Sequence, residues 1–151
     1  LRALEIYLET GETMTAHNQR TQQVPPKFQA LWLGLCDENR QDLYDRIDRR
    51  VEKMVEQGLL DEIRGLLASG VPESATAMQA IGYKEFLDVL DGRAELSQAV
   101  AQVQQSSRRY AKRQLTWFRR NPAMHWLRRG EHSGSAEILA TAFQLATEFD
   151  K

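Results

Sequence analysis

LYDRIDRRVEKMVEQGLLDEIRGLL, residues 43–67, is the stretch that decides the fold. Its first half carries an apolar residue at every fourth position, which places these residues on one face of a helix: Leu43, Ile47, Val51 and Val55. Gly58 ends this pattern, and a second helical pattern runs on to about residue 69. The stretch therefore predicts two consecutive helices, each with one buried face.

On the N-terminal side, residues 1–10 predict a helix that ends at Gly11. The polar segment 13–27 ends in two prolines and predicts a loop or a mobile arm. Residues 28–36 contain a short unbroken apolar run, which is typical of a strand buried on both faces. Asp37 is then the expected N-cap of the helix that contains residues 43–55.

On the C-terminal side, residues 74–86 predict an irregular segment that leads into a short helical turn ending at Gly92. Ser97 is the expected N-cap of a long helix that reaches about Arg120. A short strand is predicted at 124–127, followed by an amphipathic tail helix. The fold class predicted for this chain is therefore mainly α, with one or two strands.

Composition places the chain among ordinary globular proteins. Of its 151 residues, 42% are hydrophobic and 27% are charged, which is enough for one domain with a core. No apolar run approaches the roughly 20 residues that span a bilayer, so no membrane association is expected. The single cysteine, Cys36, cannot form an internal disulfide, and this favours a reducing compartment such as the cytoplasm.

The net charge of −1 hides a segregation of charge along the chain. No acidic residue lies between Glu95 and Glu131, whereas eight basic residues do: Arg108, Arg109, Lys112, Arg113, Arg119, Arg120, Arg128 and Arg129. Tyr110, Trp117 and Phe118 are interspersed among them. Basic side chains neutralise nucleic-acid phosphates, and aromatic rings stack on unpaired bases. The segment predicts a surface that faces nucleic acid. The alternative is a solvated helix face whose aromatic residues belong to the core. At least one of Trp117 and Phe118 is expected to be a core residue.

Two further groups of residues are candidates for a site. Arg46 and Arg50 are one helical turn apart and could clamp a diphosphate, although pairing of Asp42 with Arg46 and of Asp45 with Arg49 is the alternative. In the segment 79–85, Gly82 could let a base approach the backbone closely, Tyr83 could stack on that base, and Lys84 could bind a phosphate. The alternative for this segment is a turn with a packed tyrosine.

The chain lacks other chemical signatures. It contains no glycine-rich phosphate-binding loop, and its three histidines and one cysteine do not show the spacing of metal ligands. No metal site and no nucleophile is predicted within it.

Four motifs resemble, in order and spacing, the C-terminal half of tRNA dimethylallyltransferases (tRNA isopentenyltransferases). They are RALEIYLETG (2–11), LYDRIDRRVEKMVEQGLLDEIRGLL (43–67), AMQAIGYKEFLDVLDG (77–92) and SRRYAKRQLTWFRR (107–120), the last followed by a Trp-containing strand. The resemblance covers about residues 1–127. It implies a parent protein with a P-loop-type α/β core and a parallel sheet, to which this chain contributes one or two strands.

The resemblance also implies a domain organisation. Residues 1–27 would be the end of a helical insertion that grips tRNA, together with a mobile loop. Residues 28–130 would be the C-terminal part of the transferase core with its tRNA-binding helices, and residues 131–151 a helical tail. The strand in residues 28–36 would then expose apolar faces in the absence of the N-terminal half, so the chain made alone is expected to associate or aggregate.

The implied activity is transfer of a dimethylallyl group from dimethylallyl diphosphate to the exocyclic amino nitrogen of the adenosine 3′ of the anticodon. Arg50 would stabilise the diphosphate, with Arg46 nearby. The residues implied to contact the tRNA anticodon stem-loop are Arg2, Gln79, Ala80, Ile81, Gly82, Tyr83, Lys84, Lys112, Arg113, Gln114, Leu115, Thr116, Trp117, Phe118 and Arg119, with Arg108 as an additional candidate.

The family's phosphate-binding loop and catalytic Asp have no counterpart in this chain and would lie upstream of Leu1. The Mg²⁺ that the family implies is expected to have its ligands there too, in the N-terminal half that would be this chain's partner. This chain alone is therefore expected to be inactive. The alternative functions are a non-catalytic helical RNA-binding module and part of a nucleotide kinase in which these arginines would belong to the lid.

Overall fold

The computed structural model of the chain describes residues 2–25, 27–130 and 134–149. These residues are mainly helical and include a two-stranded parallel sheet, which confirms the predicted fold class. The chain divides into two compact units, residues 1–31 and residues 32–151. No described helix is both long enough and apolar enough to span a membrane.

The first unit contains helix α1 (Arg2–Thr10) and helix α2 (Met14–Gln23). Helix α1 ends as expected at Gly11, whose φ of +71° is easily adopted by glycine. Helix α2 replaces the loop predicted for residues 13–27. It forms because the hydroxyl of Thr13 accepts a hydrogen bond from the backbone N–H of Ala16 at 3.2 Å and caps the helix, a signal that the polar composition obscured.

The second unit contains the remaining elements, which in chain order are β1 (Trp32–Asp37), α3 (Arg40–Glu56), α4 (Leu59–Ala68), a 3₁₀ turn (Thr76–Gln79), α5 (Lys84–Leu90), α6 (Leu96–Phe118), β2 (Met124–Arg129) and α7 (Ser135–Phe149). Helices α4 and α7 lie where the apolar patterns predicted them. The segment predicted to be irregular contains the 3₁₀ turn and the beginning of α5.

Strands β1 and β2 are parallel, with Trp32 opposite Met124 and Asp37 opposite Arg129. Gly34 leaves room for the side chain of Trp126 on the neighbouring strand, because a Cβ atom at this position would lie 3.0 Å from the Trp126 ring. The strand predicted over 28–36 begins only at Trp32 and is not buried on both faces, since Leu35 is 55% exposed. An apolar run predicts burial, but β2 pairs with an edge of β1, and burial of both faces would need helices packed on each face of the sheet.

The core lies among helices α3 to α6 and the 3₁₀ turn, and its buried side chains are Val51, Leu59, Ile63, Met78, Phe86, Leu87, Ala99 and Val103. Of the four-residue stripe on α3, Val51 is buried, whereas Leu43, Ile47 and Val55 are half-buried. The stripe therefore correctly identified the inner face of α3. The C-terminal half of α3 contributes more to the core than the N-terminal half.

Two of the predicted helix caps are wrong. The N-cap of α3 is Asn39, whose side chain accepts from the backbone N–H of Gln41 at 2.9 Å, while Asp37 pairs with arginines instead. Helix α6 follows Glu95, whose carbonyl already accepts from the N–H of Ala99, so Ser97 lies inside the first turn. Sequence cannot distinguish among several polar residues near a helix start, because the cap depends on where the chain enters the helix.

Candidate functional site

A buried carboxylate lies at the C-terminal end of the sheet. The side chain of Asp37, at the end of β1, is 4% exposed, and its Oδ1 accepts from Arg46 on α3 at 2.8 Å and from Arg129 at the end of β2 at 3.0 Å. Two positive charges compensate the cost of burying this carboxylate. Asp37 therefore joins β1, β2 and α3 at the strand ends, the edge at which open α/β sheets bind ligands.

Arg46 and Arg50 have different surroundings, although they lie one turn apart on α3. Arg46 is held by Asp37, whereas Arg50 is exposed and has no ion pair among the residues that the structure describes. Neither of the alternative intrahelical pairs forms. Arg46 pairs with Asp37 instead of Asp42, and Arg49 donates to the backbone carbonyl of Asp45 at 3.3 Å instead of its carboxylate. Of the two arginines in the predicted clamp, Arg50 is thus the one whose guanidinium is available to an anion.

The segment 79–84 forms a tight turn. Gly82 is buried with a φ of +96°, and its N–H donates to the carboxylate of Glu85 at 2.9 Å. The hydroxyl of Tyr83 donates to Glu62, and this hydrogen bond is the main reason why the pKa of Tyr83 is raised above its ordinary value. The ring of Tyr83 is half-buried against the core. This geometry matches the alternative interpretation of the segment, a turn with a packed tyrosine.

The other members of this segment differ in exposure. The side chain of Gln79 donates to the backbone carbonyl of Glu73 at 3.0 Å, and Ile81 packs against the core. Ala80 and Lys84 are exposed, and no described acidic side chain pairs with Lys84. The tRNA contacts implied for Gln79, Ala80, Ile81, Gly82, Tyr83 and Lys84 stay a prediction, and Lys84 is the member with a free charge.

The basic residues of α6 and β2 divide into two groups. Arg108 is half-buried, pairs with both carboxylate oxygens of Asp48 on α3, and lies over the ring of Tyr44 at 5.9 Å from its centroid. Like Arg129, it is therefore bound within the protein. The other six make no ion pair within the described parts of the chain: Arg109, Lys112, Arg113, Arg119, Arg120 and Arg128.

The aromatic residues at the end of α6 are exposed. Trp117 is 63% exposed and Phe118 37%, and their rings pack edge to face with centroids 5.0 Å apart. The prediction that at least one of them is a core anchor is wrong, because the core of this unit surrounds the first half of α6, where Ala99 and Val103 are buried. Aromatic residues alone do not show whether a helix end reaches the core.

Two concave regions border the basic half of α6. The α6 groove, of about 310 Å³, is lined by Lys112, Arg113, Thr116, Trp117 and Arg120. The α3–α6 cavity, of about 250 Å³, is lined by residues 37–40, Leu43, Tyr44, Lys112, Leu115, Thr116 and Arg119. Lys112 and Thr116 line both, so the two regions are adjacent and share a wall on α6.

The remaining predicted residues have simple positions. Gln114 is exposed, Leu115 is half-buried, and both line an apolar cavity of about 500 Å³ beside β1 and β2. Arg2 is exposed on α1, in the first unit. Among residues 2–25, 27–130 and 134–149, no three His, Cys, Asp or Glu side chains come together as a metal site.

Sequence reasoning missed Asp37 and Arg40 as parts of this region. Asp37 meets Arg129 across a separation of 92 residues, so no local pattern connects them. Arg40 lies at the start of α3 and lines the α3–α6 cavity, which only the packing of two helices creates. The unbroken positive charge of residues 108–129 was the one signal that pointed to this side of the molecule.

Comparison with known proteins identifies the family. A sequence profile described as IPP transferase matches residues 1–121. The chain is 45% identical over 133 residues to the tRNA dimethylallyltransferase of Carboxydothermus hydrogenoformans, covering 88% of this chain and 42% of that protein. It is 46% identical over 126 residues to the enzyme of the same name from Halalkalibacterium halodurans, covering 83% of this chain and 40% of that protein.

Solved structures agree with these sequence matches. A tRNA delta(2)-isopentenylpyrophosphate transferase from Staphylococcus epidermidis matches with a TM-score of 0.74 at 36% identity, covering 99% of this chain and 47% of the other. A eukaryotic dimethylallyltransferase acting on tRNA matches with a TM-score of 0.76 at 28% identity, covering 97% of this chain and 40% of the other. The chain thus spans less than half the length of these relatives. Since the profile match extends over most of its residues, the chain belongs to the IPP transferase family.

Proposed function

We propose that this chain is the C-terminal part of an enzyme that transfers a dimethylallyl group from dimethylallyl diphosphate to tRNA. The accepting atom is the exocyclic amino nitrogen of the adenosine 3′ of the anticodon. The names of the relatives support the reaction. The observation that carries the tRNA-binding role of this chain is the exposed half of α6, where basic side chains without an ion pair in the described structure line a groove together with the exposed ring of Trp117.

The chemistry assigns a role to Arg50. As the bond between the dimethylallyl carbon and the diphosphate oxygen breaks, negative charge grows on the diphosphate leaving group. A guanidinium that donates to the leaving oxygens stabilises that charge. Arg50 has no competing carboxylate among the described residues, whereas Arg46 is bound to Asp37. Arg50 is the proposed donor to the diphosphate, and Arg46 lies one turn away.

The RNA must place the amino nitrogen of its adenosine next to the dimethylallyl carbon of the donor. The amino nitrogen is inaccessible while the base is stacked, so the base is expected to leave the stack before it reacts. The α6 groove suits the backbone and bases beside it, because cations hold phosphates and Trp117 offers a stacking surface. Such an enzyme would meet tRNA in the cytoplasm.

Other residues that the reaction needs are proposed to belong to the N-terminal half of the enzyme. The chain has no phosphate-binding loop motif. The family's Mg²⁺ would be held by residues of the N-terminal half, which is proposed to complete the active site. We expect the intact enzyme to transfer the dimethylallyl group and this chain alone to be inactive. An intact protein that binds the stem-loop without transfer would indicate the alternative function, an RNA-binding module.

The RNA-binding role is tested by measuring the affinity of the intact enzyme for a fluorescent anticodon stem-loop across a salt series. Replacing Arg113 and Arg120 with Ala should flatten the logarithmic salt dependence by about 1.4, since each phosphate contact on single-stranded RNA contributes about 0.7. Trp117→Ala should weaken binding by about 1–3 kcal/mol and leave the slope unchanged, because a stacking ring carries no charge. An unchanged slope in the double variant would make α6 a solvated helix face.

A further inference from the structure

The α3–α6 cavity, in which the first turn of α3 faces the second half of α6, is lined by more positive than negative charge. Arg40, Lys112 and Arg119 contribute three cations, and none of them forms an ion pair in the described part of the chain. Asp37 also lines the cavity, but its carboxylate is already bound by two arginines. Glu38 is the only other acidic residue of the lining, so an excess of positive charge remains.

The position of Arg40 supports an anionic occupant. It is the first residue of α3, a helix of 17 residues, and its positive charge lies at the positive end of the helix dipole. A cation is unfavourable there for the helix itself, and a bound anion would reverse this effect. Tyr44 also lines the cavity, and its hydroxyl makes no hydrogen bond within the described structure.

The position of the cavity next to the α6 groove indicates the source of the anion. Lys112 and Thr116 line both regions, so an RNA strand bound along the groove lies next to the cavity. Guanidinium groups bind phosphate oxygens through paired hydrogen bonds. We infer that the α3–α6 cavity binds one phosphodiester group of the RNA backbone, shared by Arg40 and Arg119. The inference rests on the proposed function and adds Arg40, from a second helix, to the RNA site.

The test compares Arg40→Ala, Arg119→Ala and the double variant of the intact enzyme, using the fluorescent anticodon stem-loop. Loss of one charged donor should weaken binding roughly tenfold. Because both side chains hold the same phosphate, the double variant should flatten the logarithmic salt dependence by only about 0.7. Arg49→Ala is the matched control, since Arg49 is an exposed arginine of the same helix outside the cavity. It should bind like the unchanged enzyme.

Three outcomes would overturn the inference. One is an Arg40→Ala variant with unchanged RNA affinity, while Arg113 and Arg120 together still flatten the slope, as the proposed function requires. Another is a slope change of about 1.4 in the double variant, which would assign separate phosphates to the two arginines. The third is a raised KM for dimethylallyl diphosphate with unchanged RNA affinity, which would assign the cavity to the diphosphate. If the unchanged enzyme does not bind the stem-loop, the proposed function itself fails.

Discussion

Arg46 and Arg50 show how similar residues on one helix acquire different roles. Both project from α3, but the carboxylate of Asp37 holds Arg46 at 2.8 Å and Arg50 is exposed. A buried carboxylate that loses one partner is destabilised, so Arg46 contributes to the structure whatever else it contacts. The effect of replacing Arg50 should instead fall on the reaction.

We predict that Arg50→Ala in the intact enzyme lowers turnover about 100- to 1000-fold, the cost of removing one donor to a developing anion. Steady-state kinetics would measure this effect, and thermal unfolding should show a midpoint close to that of the unchanged enzyme. Arg49→Ala, which removes an exposed arginine next to it, is the control and should retain normal turnover. A loss of less than about threefold in Arg50→Ala would contradict the assignment.

At the scale of elements, α3 and α6 are joined on the side of the molecule that carries the candidate site. Arg108 binds both carboxylate oxygens of Asp48, and Gln104 donates to the backbone carbonyl of Asp48 at 3.4 Å. The two charged side chains are 29% and 31% exposed, so water screens them less than an exposed pair. These contacts join the middle of α3 to the middle of α6, just before the basic residues that line the groove.

We predict a coupling energy of about 1 kcal/mol between Arg108 and Asp48 in a double-mutant cycle with Ala at both positions. Urea unfolding of the two single variants and the double variant would give this value. The exposed pair Arg64–Asp61 on α4 is the control, and it should give about 0.2–0.5 kcal/mol. Equal coupling in the two pairs would mean that partial burial does not strengthen the bond between α3 and α6.

At the scale of the whole molecule, the two-stranded sheet exposes apolar side chains. Leu33 and Leu35 lie on the same face of β1 and are 39% and 55% exposed, and Trp32 on the other face is 45% exposed. Exposed apolar strands favour pairing with other chains, which agrees with the association expected for this chain on its own.

We predict that the 151-residue chain self-associates and that Leu35→Lys reduces this association, because a charged side chain on an exposed strand opposes pairing. Sedimentation velocity over a range of concentrations would detect the change. Leu139→Lys, on the exposed side of α7, is the control, as it removes an equally exposed leucine (56%) outside the sheet. A purely monomeric unchanged chain, or an equal effect of both substitutions, would show that β1 is not the surface involved.

The sequence by itself determined the helices with strong local signals. The four-residue stripe of α3, the glycine that separates it from α4, and the amphipathic tail predicted these elements within a few residues, since periodicity reports directly which face of a helix is apolar. The run of positive charge likewise indicated the side of the molecule with the candidate site. The family resemblance then explained these features together.

The tertiary structure decided which charged side chains are available. Arg108 and Arg129 belong to the same basic segment as Lys112 and Arg113, yet they bind Asp48 and Asp37, which lie 60 and 92 residues away in the sequence. It also decided that Trp117 is exposed, whereas the sequence left open whether its ring belongs to the core or to the surface. The physical reason is that periodicity describes one helix at a time, whereas the partner of a charge and the burial of a ring depend on how separate elements pack.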